Sequence, residues 1–508
     1  MLSHNILMRT RATRTLRSAV LGGALLTLLL FAPASLSFAA SSEERIRLLE
    51  QAIEDLLRRD AEKDSVIEKL SEEIRALKAG NRGSVEADHA QEEGEHAHQH
   101  GQDDHDHGKP GHSDSGPDLY SVDVAGGRLR LRGIGVDTAL AVGGSTESGE
   151  DLQNLQGNDH DPDENGFTLQ TIDIGILGAY DPYFDAEANI AIFLDNEGET
   201  KVELEEAFLR TQKDTLPYGL EVEAGQMFTE FGVWNPQHFH DRTWLDQPVI
   251  LTRLFGEDNL RAPGVRLGWT PTFLPSTTLH LGAQNAFGET MSSCLSSDEA
   301  FEERPIGGRD FNEQDVESAG DLAYLARVAN HFDLGSAVRM DLGLSGVTCA
   351  NSGDADGDGR TYIGGADLVL QYDLPSGHQL SWQTELLYRN YDVDRVLEDY
   401  GFYTQALYAF DSPWALGLRY EYATGDGASV GDFDGRDDDP FRADRQRLSP
   451  LLVWQFAPTG RARLQYNYDH ADNLDDETAH SIWFGVEWAF GAGEAVHFSN
   501  TAAAGHAH

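Results

Sequence analysis

The chain has 508 residues, with 38 Lys and Arg against 86 Asp and Glu, and a formal net charge of −48 at pH 7. That balance excludes nucleic acid and anionic lipid surfaces as electrostatic partners and favours cations. No stretch reaches the roughly 18 apolar residues that would suggest a membrane-spanning helix.

The first 39 residues read as a signal peptide. Arg9, Arg11, Arg14 and Arg17 form a basic region, Ala19 to Phe31 an apolar run, and Ser37-Phe38-Ala39 a small-x-small cleavage site before Ala40. Residues 43–79 carry heptads, with Ile46, Ile53, Ile67 and Ile74 at a and Leu49, Leu56, Leu70 and Leu77 at d. Asp60 and Lys63 interrupt that seam. The pattern predicts a coiled coil, and Ile at a with Leu at d favours two strands.

Residues 80–117 hold almost no large apolar side chain, so they are expected to form a disordered linker. Seven histidines lie there: His89, His96, His98, His100, His105, His107 and His112. Acids including Glu92, Glu93, Glu95, Asp103, Asp104 and Asp106 are interleaved with them. Neutral imidazole is the common ligand for zinc-like ions, and no spacing defines one tetrahedral site. The reading is loose zinc binding, with a solvated spacer as the alternative. The C-terminal tail, 491–508, repeats the theme with His497, His506 and His508.

Residues 118–490 alternate strand-like segments with connections read as short and long in rotation. The predicted strands are 128–143, 167–180, 183–195, 201–212, 219–230, 263–273, 276–287, 321–332, 334–347, 362–373, 378–391, 399–411, 413–424, 447–457, 460–470 and 479–490. Short turns such as Asp181-Pro182 and Ala457-Pro458-Thr459-Gly460 carry turn-forming residues. In the last segment Ile482, Phe484, Val486, Trp488 and Phe490 point one way, and Trp483, Gly485, Glu487 and Ala489 the other. Polar side chains share the opposite face throughout: Arg128, Arg130 and Arg132; Arg339 and Asp341; Glu385 and Arg389; Arg419 and Glu421; Arg461 and Arg463. An apolar outside and polar inside predict an all-β transmembrane barrel of about 16 antiparallel strands, with these side chains lining an aqueous pore. Both barrel ends fall on the short-turn side, which faces the periplasm in such barrels, so the coiled coil and linker are expected there.

Gly485, Trp488 and Phe490 resemble the C-terminal insertion signal of bacterial outer-membrane barrels. Loop three, from Phe231 to Pro263, resembles the phosphate-selective-porin superfamily in Phe231-Gly232, Asn235-Pro236, His238-x-His240, Trp244, Asp246-x-Pro248 and Phe255-Gly256-Glu257-Asp258. The resemblance implies an outer-membrane channel whose third loop narrows the lumen, and a homotrimer whose barrel overrides the two-stranded preference of the heptads. Phosphate-selective members rely on lysines, whereas only Lys201 and Lys213 lie beyond residue 117 here, which leaves ion selectivity open. Arg242, Arg253 and Arg261 facing Asp241, Asp246, Glu257 and Asp258 would form a mixed-charge constriction. His238 and His240 with Asp241 would alternatively meet a transition metal in transit, or simply bond the loop to the wall.

Cys294 falls in the loop before the eighth predicted strand and Cys349 in the loop after the ninth. Both then lie on the extracellular side, where a disulfide between them is expected to tie the loops over the mouth. Asp354, Asp356 and Asp358 open like a calcium loop, but Gly365 stands where its closing glutamate belongs, so an acidic surface loop is expected instead. No Ser-His-Asp order, phosphate loop or paired-carboxylate cleft suggests an enzyme. The expectation is a passive channel for small hydrophilic solutes or ions in outer-membrane lipid, with a zinc-binding periplasmic segment and no required cofactor. An energised metal receptor and a coiled-coil envelope tether are the alternatives.

Overall fold

The computed structural model describes residues 118–493, apart from 125, 197, 354–357 and 376. The predicted signal peptide, coiled coil and histidine-rich linker, the tail beyond 493, and Asp354 and Asp356 lie outside the described residues. The strands are β1 (Tyr120–Val124), β2 (Gly127–Ser145), β3 (Gly166–Asp181), β4 (Phe184–Leu194), β5 (Thr200–Thr211), β6 (Leu220–Phe228), β7 (Arg261–Trp269), β8 (Thr277–Gln284), β9 (Ala323–Asp333), β10 (Val338–Ala350), β11 (Arg360–Asp373), β12 (Gln379–Asp392), β13 (Leu397–Ala409), β14 (Trp414–Asp426), β15 (Arg445–Ala457), β16 (Gly460–Ala471) and β17 (Thr478–Gly493).

From β2 onward each strand pairs antiparallel with the next. β17 returns to β2, from Ser481 opposite Ser145 to Gly493 opposite Gly133, and closes a sixteen-stranded barrel. Closure leaves no unpaired edge, as a sheet in hydrocarbon requires. The sixteen predicted segments fall on β2 to β17. The short β1 was not foreseen; it folds back on the start of β2, Tyr120 opposite Leu131.

The burial pattern is inverted relative to a soluble sheet. On β14, Leu416 and Leu418 face outward and are exposed, while Arg419 and Glu421 are fully buried inside. On β17, Ile482, Phe484, Trp488 and Phe490 face out, and Trp483 and Glu487 face in. At the short-turn rim Trp414 stacks on Trp454 at 5.5 Å, and Phe456 continues the row to Trp488. Such an aromatic girdle marks a membrane interface.

Two expectations need correction. The connections do not alternate strictly between short and long, because β4–β5, β12–β13 and β16–β17 are joined on the loop side by residues 195–199, 393–396 and 472–477 alone. The lumen is also not a simple water-filled tube. A hydrophobic core occupies it, built from loop-three residues such as Trp234, Trp244, Ile250, Leu254 and Phe255 packed on wall residues including Leu387, Tyr403 and Leu451. Strand periodicity records which face points inward, but not whether water or a loop fills the space.

Candidate functional site

Loop three leaves β6 at Phe228, crosses the lumen and re-enters the wall at β7, with a short helix α1 (Val249–Phe255) on the way. Its apolar side chains seat against inward-facing glycines. A Cβ on Gly365 would lie 2.7 Å from Phe231 Cζ, one on Gly417 3.2 Å from the Trp244 ring, and one on Gly401 3.0 Å from Ile250 Cδ1. Gly485 offers Leu245 the same close seat. Trp483 packs inside against Leu245 and Leu152.

Irregular backbone buried in a barrel needs hydrogen-bond partners, and the polar wall supplies them in both senses. Wall acceptors take the loop's N–H groups: Gly232 donates to Ser345 at 3.1 Å, Trp234 to Glu385 at 2.8 Å, Leu245 to Gln465 at 2.9 Å and Val249 to Glu421 at 2.7 Å. Wall arginines donate to its carbonyls. Arg389 reaches Arg253 O at 3.1 Å and Arg419 reaches Asp246 O at 3.0 Å. Arg461 reaches the His240 and Arg242 carbonyls at 2.8 Å, and Arg463 the Arg242 carbonyl at 3.1 Å. The connection between β2 and β3 joins from its own side, where Arg447 donates to Leu155 O at 2.6 Å.

Asp246 is the charge at the centre of this arrangement. Arg419 pairs with it, Arg447 stands 2.9 Å away, and Gln465 and Asn467 donate at 2.7 and 2.8 Å. Burial opposes its ionisation, but the two guanidinium charges outweigh burial and hold the carboxyl below its ordinary value.

The opposite side of the loop is held through His238. A register shift where β4 meets β5, after Asn189 opposite Glu206, leaves Glu205 as an extra residue. Side chains alternate along a regular strand, so a bulge is what turns two successive glutamates inward. His238 Nδ1 lies 3.1 Å from Glu205 and Nε2 2.9 Å from Glu206. Burial disfavours the imidazolium, yet the bonds to Glu205 and Glu206 win and raise its pKa well above the ordinary value. His240 stacks on His238 with ring centroids 5.5 Å apart. Burial lowers its pKa as well, but Asp241 and Asp173 push it up to about 9.

The predicted constriction residues therefore do not face one another across a channel. Arg242 is buried with its guanidinium 5.7 Å over the Trp234 ring, and Arg253 donates to the Arg442 and Ala443 carbonyls. Arg261 pairs with Asp258 and Glu203, and Glu257 lies 4.0 Å from Arg304. Each charge is consumed locally because the loop is docked rather than hanging in water.

The predicted pore-lining set divides by height. Glu385, Arg389, Arg419, Glu421, Arg461 and Arg463 point inward but are covered by loop three, which corrects their assignment to a wet wall. Arg128, Arg339 and Asp341, near the short turns, keep side chains about half exposed, at 56%, 44% and 42%. Arg130 meets Asp118 and Asp181, and Arg132 meets Asp185 at 3.1 Å. A register shift beside Arg132 accompanies the change of inward parity to Gly133, Gly135 and Asp137.

Cys294 and Cys349 form a disulfide with Cα atoms 5.6 Å apart. Cys349 belongs to β10 rather than to the loop beyond it, and both cysteines are fully buried in the luminal core.

The closed barrel, its oily exterior and its folded-in third loop define a sixteen-stranded transmembrane β-barrel with an internal loop. No family model matches the chain. A protein of Aquifex aeolicus (strain VF5), described only as uncharacterized, is 29% identical over 275 residues, which are 51% of this chain and 55% of that relative. The chain thus spans about half the length of the curated relative it matches. Among solved structures, the outer-membrane channel DcaP of Acinetobacter baumannii is similar with TM-score 0.45 and 12% identity, over 72% of this chain and 98% of that one. An anion-selective porin from Comamonas acidovorans is similar with TM-score 0.43 and 12% identity, over 71% and 99%. The architecture stated here rests on the strand register and burial alone.

Proposed function

We propose that this protein is an outer-membrane channel for passive diffusion of small hydrophilic solutes or ions, with loop three setting the width of its lumen. The observation that carries this reading is a polar-lined closed barrel crossed by an internal loop that bonds to the wall on opposite sides. Donor and acceptor wall groups bind loop backbone, so the half-open end near Arg128, Arg339 and Asp341 is the vestibule through which solutes approach. Both signs of charge there fit a channel of weak ion preference. The loop-three motifs support a place near the phosphate-selective porins, and a homotrimer is the assembly that resemblance implies.

The test is planar-bilayer conductance under cation and anion gradients. The full chain should give small steps, and a variant with residues 233–258 replaced by a glycine-serine linker should give severalfold larger ones. A shortened-loop protein that inserts but does not conduct would refute the diffusion reading.

We also propose that the histidine-rich segment binds zinc-like ions loosely on the periplasmic side. Its dense histidines and interleaved acids support this. Deleting residues 86–114 should remove most zinc binding and leave conductance unchanged; undiminished zinc binding by that deletion protein would refute it.

A further inference from the structure

The glutamate pair exposed by the bulge leaves an unusual set of groups around His238. Glu206 Oε2 is 2.9 Å from His238 Nε2, and Asn189 Nδ2 lies 3.1 Å from that nitrogen and 3.0 Å from Glu187 Oε1. One ligand atom from each of Glu187, Glu206 and His238 falls within 4.8 Å of the other two. On the far side of the ring Glu205 holds Nδ1. A carboxylate on the second nitrogen of an imidazole fixes the ring and strengthens the first nitrogen as a ligand.

His160 stands on that far side, next to Glu205. His160, 2% exposed, directs Nε2 at Glu205 from 4.0 Å, and that nitrogen has no hydrogen-bond partner among the described residues. Glu187, Glu205 and Glu206 thus gather around His238, and Arg261, paired with Glu203 and Asp258, lies close enough to act on Glu205 alone of the three. Buried negative charge beyond what the imidazolium balances is costly without a further cation.

We propose that Glu187, Glu206 and His238 form a site for one divalent transition-metal ion of the zinc class, with Glu205 orienting the imidazole. The nitrogen ligand beside carboxylate oxygens selects a borderline ion over magnesium or calcium. Glu187 and Glu206 belong to the wall and His238 to loop three, so the bound ion fastens the loop at β4 and β5. Glu187 is half-buried and follows Asp185 from the short-turn end of β4, so the ion enters from that end. The site differs from the predicted His238, His240 and Asp241 set, because His240 turns to Asp173 at 3.6 Å. It is also independent of the histidine-rich segment.

The test uses the full chain with zinc alone. Anomalous scattering at the zinc edge from soaked crystals should place a peak between Glu187, Glu206 and His238. Equilibrium dialysis should show that Glu206→Gln binds one equivalent fewer than the unaltered chain. No peak there, or an unchanged stoichiometry, overturns the proposal. Should Glu206→Gln fail to insert, Glu187→Gln at its more exposed position gives the same comparison. Conductance is not read in either measurement, so failure of the metal site and failure of the diffusion reading remain distinguishable.

Discussion

Asp246 shows how a single buried side chain can hold an irregular loop inside a barrel. It faces Arg419 and Arg447, and neutralising it removes the anion these two buried guanidinium groups share, leaving them only Glu421 and Asp469. Breaking a buried pair from one side costs about 3–5 kcal/mol. Asp246→Asn should therefore release loop three and shift tryptophan emission to longer wavelength, since Trp234 and Trp244 leave their buried seats. Unshifted emission would show that the anchor lies elsewhere. The pH dependence has a definite sign. The native carboxyl titrates below its ordinary value of 3.8, so its stabilisation is complete above that value and is lost as pH falls through the depressed one. The same red shift should appear in the unaltered chain only on acidification below 3.8.

The glycine seats give a steric counterpart. A side chain at Gly365 runs into the Phe231 ring at 2.7 Å from its first carbon. Overpacking of this kind costs about 1–3 kcal/mol. Gly365→Val should raise protease cleavage within residues 231–260 while the barrel still resists unfolding in detergent. Equal cleavage of variant and parent would remove Gly365 from the list of seats.

At the scale of elements, loop three, the β5 bulge and the disulfide act together. The loop carries the apolar side chains, the bulge delivers two acceptors to one histidine, and Cys294–Cys349 ties the connection after β8 to the end of β10 across 55 residues. A closed loop of that length restricts the unfolded chain by about 4 kcal/mol in the chain-entropy model. Replacing both cysteines with serine should lower the melting temperature of the barrel and expose the 285–322 segment to protease. A variant that melts with the parent would mean the luminal core alone secures that segment.

At the scale of the whole molecule, lipid and lumen make opposite demands on alternate residues of each strand. Leu418 faces lipid and is 53% exposed, beside the fully buried Arg419. A charge on the lipid face costs about 2–4 kcal/mol at mid-membrane depth. Leu418→Arg should lower stability in lipid vesicles by that amount, measured by denaturant unfolding. A change within error would place Leu418 at a membrane interface or against another subunit.

The sixteen barrel strands were legible because alternation, turn residues and aromatic edges repeat along the chain and need only local reading. Arg389, Arg419, Arg461 and Arg463 point into the barrel, as the alternation indicates. Their task was not legible, since nothing local distinguishes a guanidinium in water from one bonded to a carbonyl that arrives from some 200 residues away, as Arg461 is to the His240 and Arg242 carbonyls. The adjacent Glu205 and Glu206 were the one local hint, a break in alternation that a bulge explains.

By itself the sequence determined that this chain folds as a barrel with its apolar side chains outward, because a period of two and a membrane's intolerance of unpaired backbone leave little choice. Only the tertiary structure decided what fills that barrel. Loop three finds glycine seats, arginine donors and a bulged glutamate pair on strands far apart in the chain, and no stretch read alone brings those partners together.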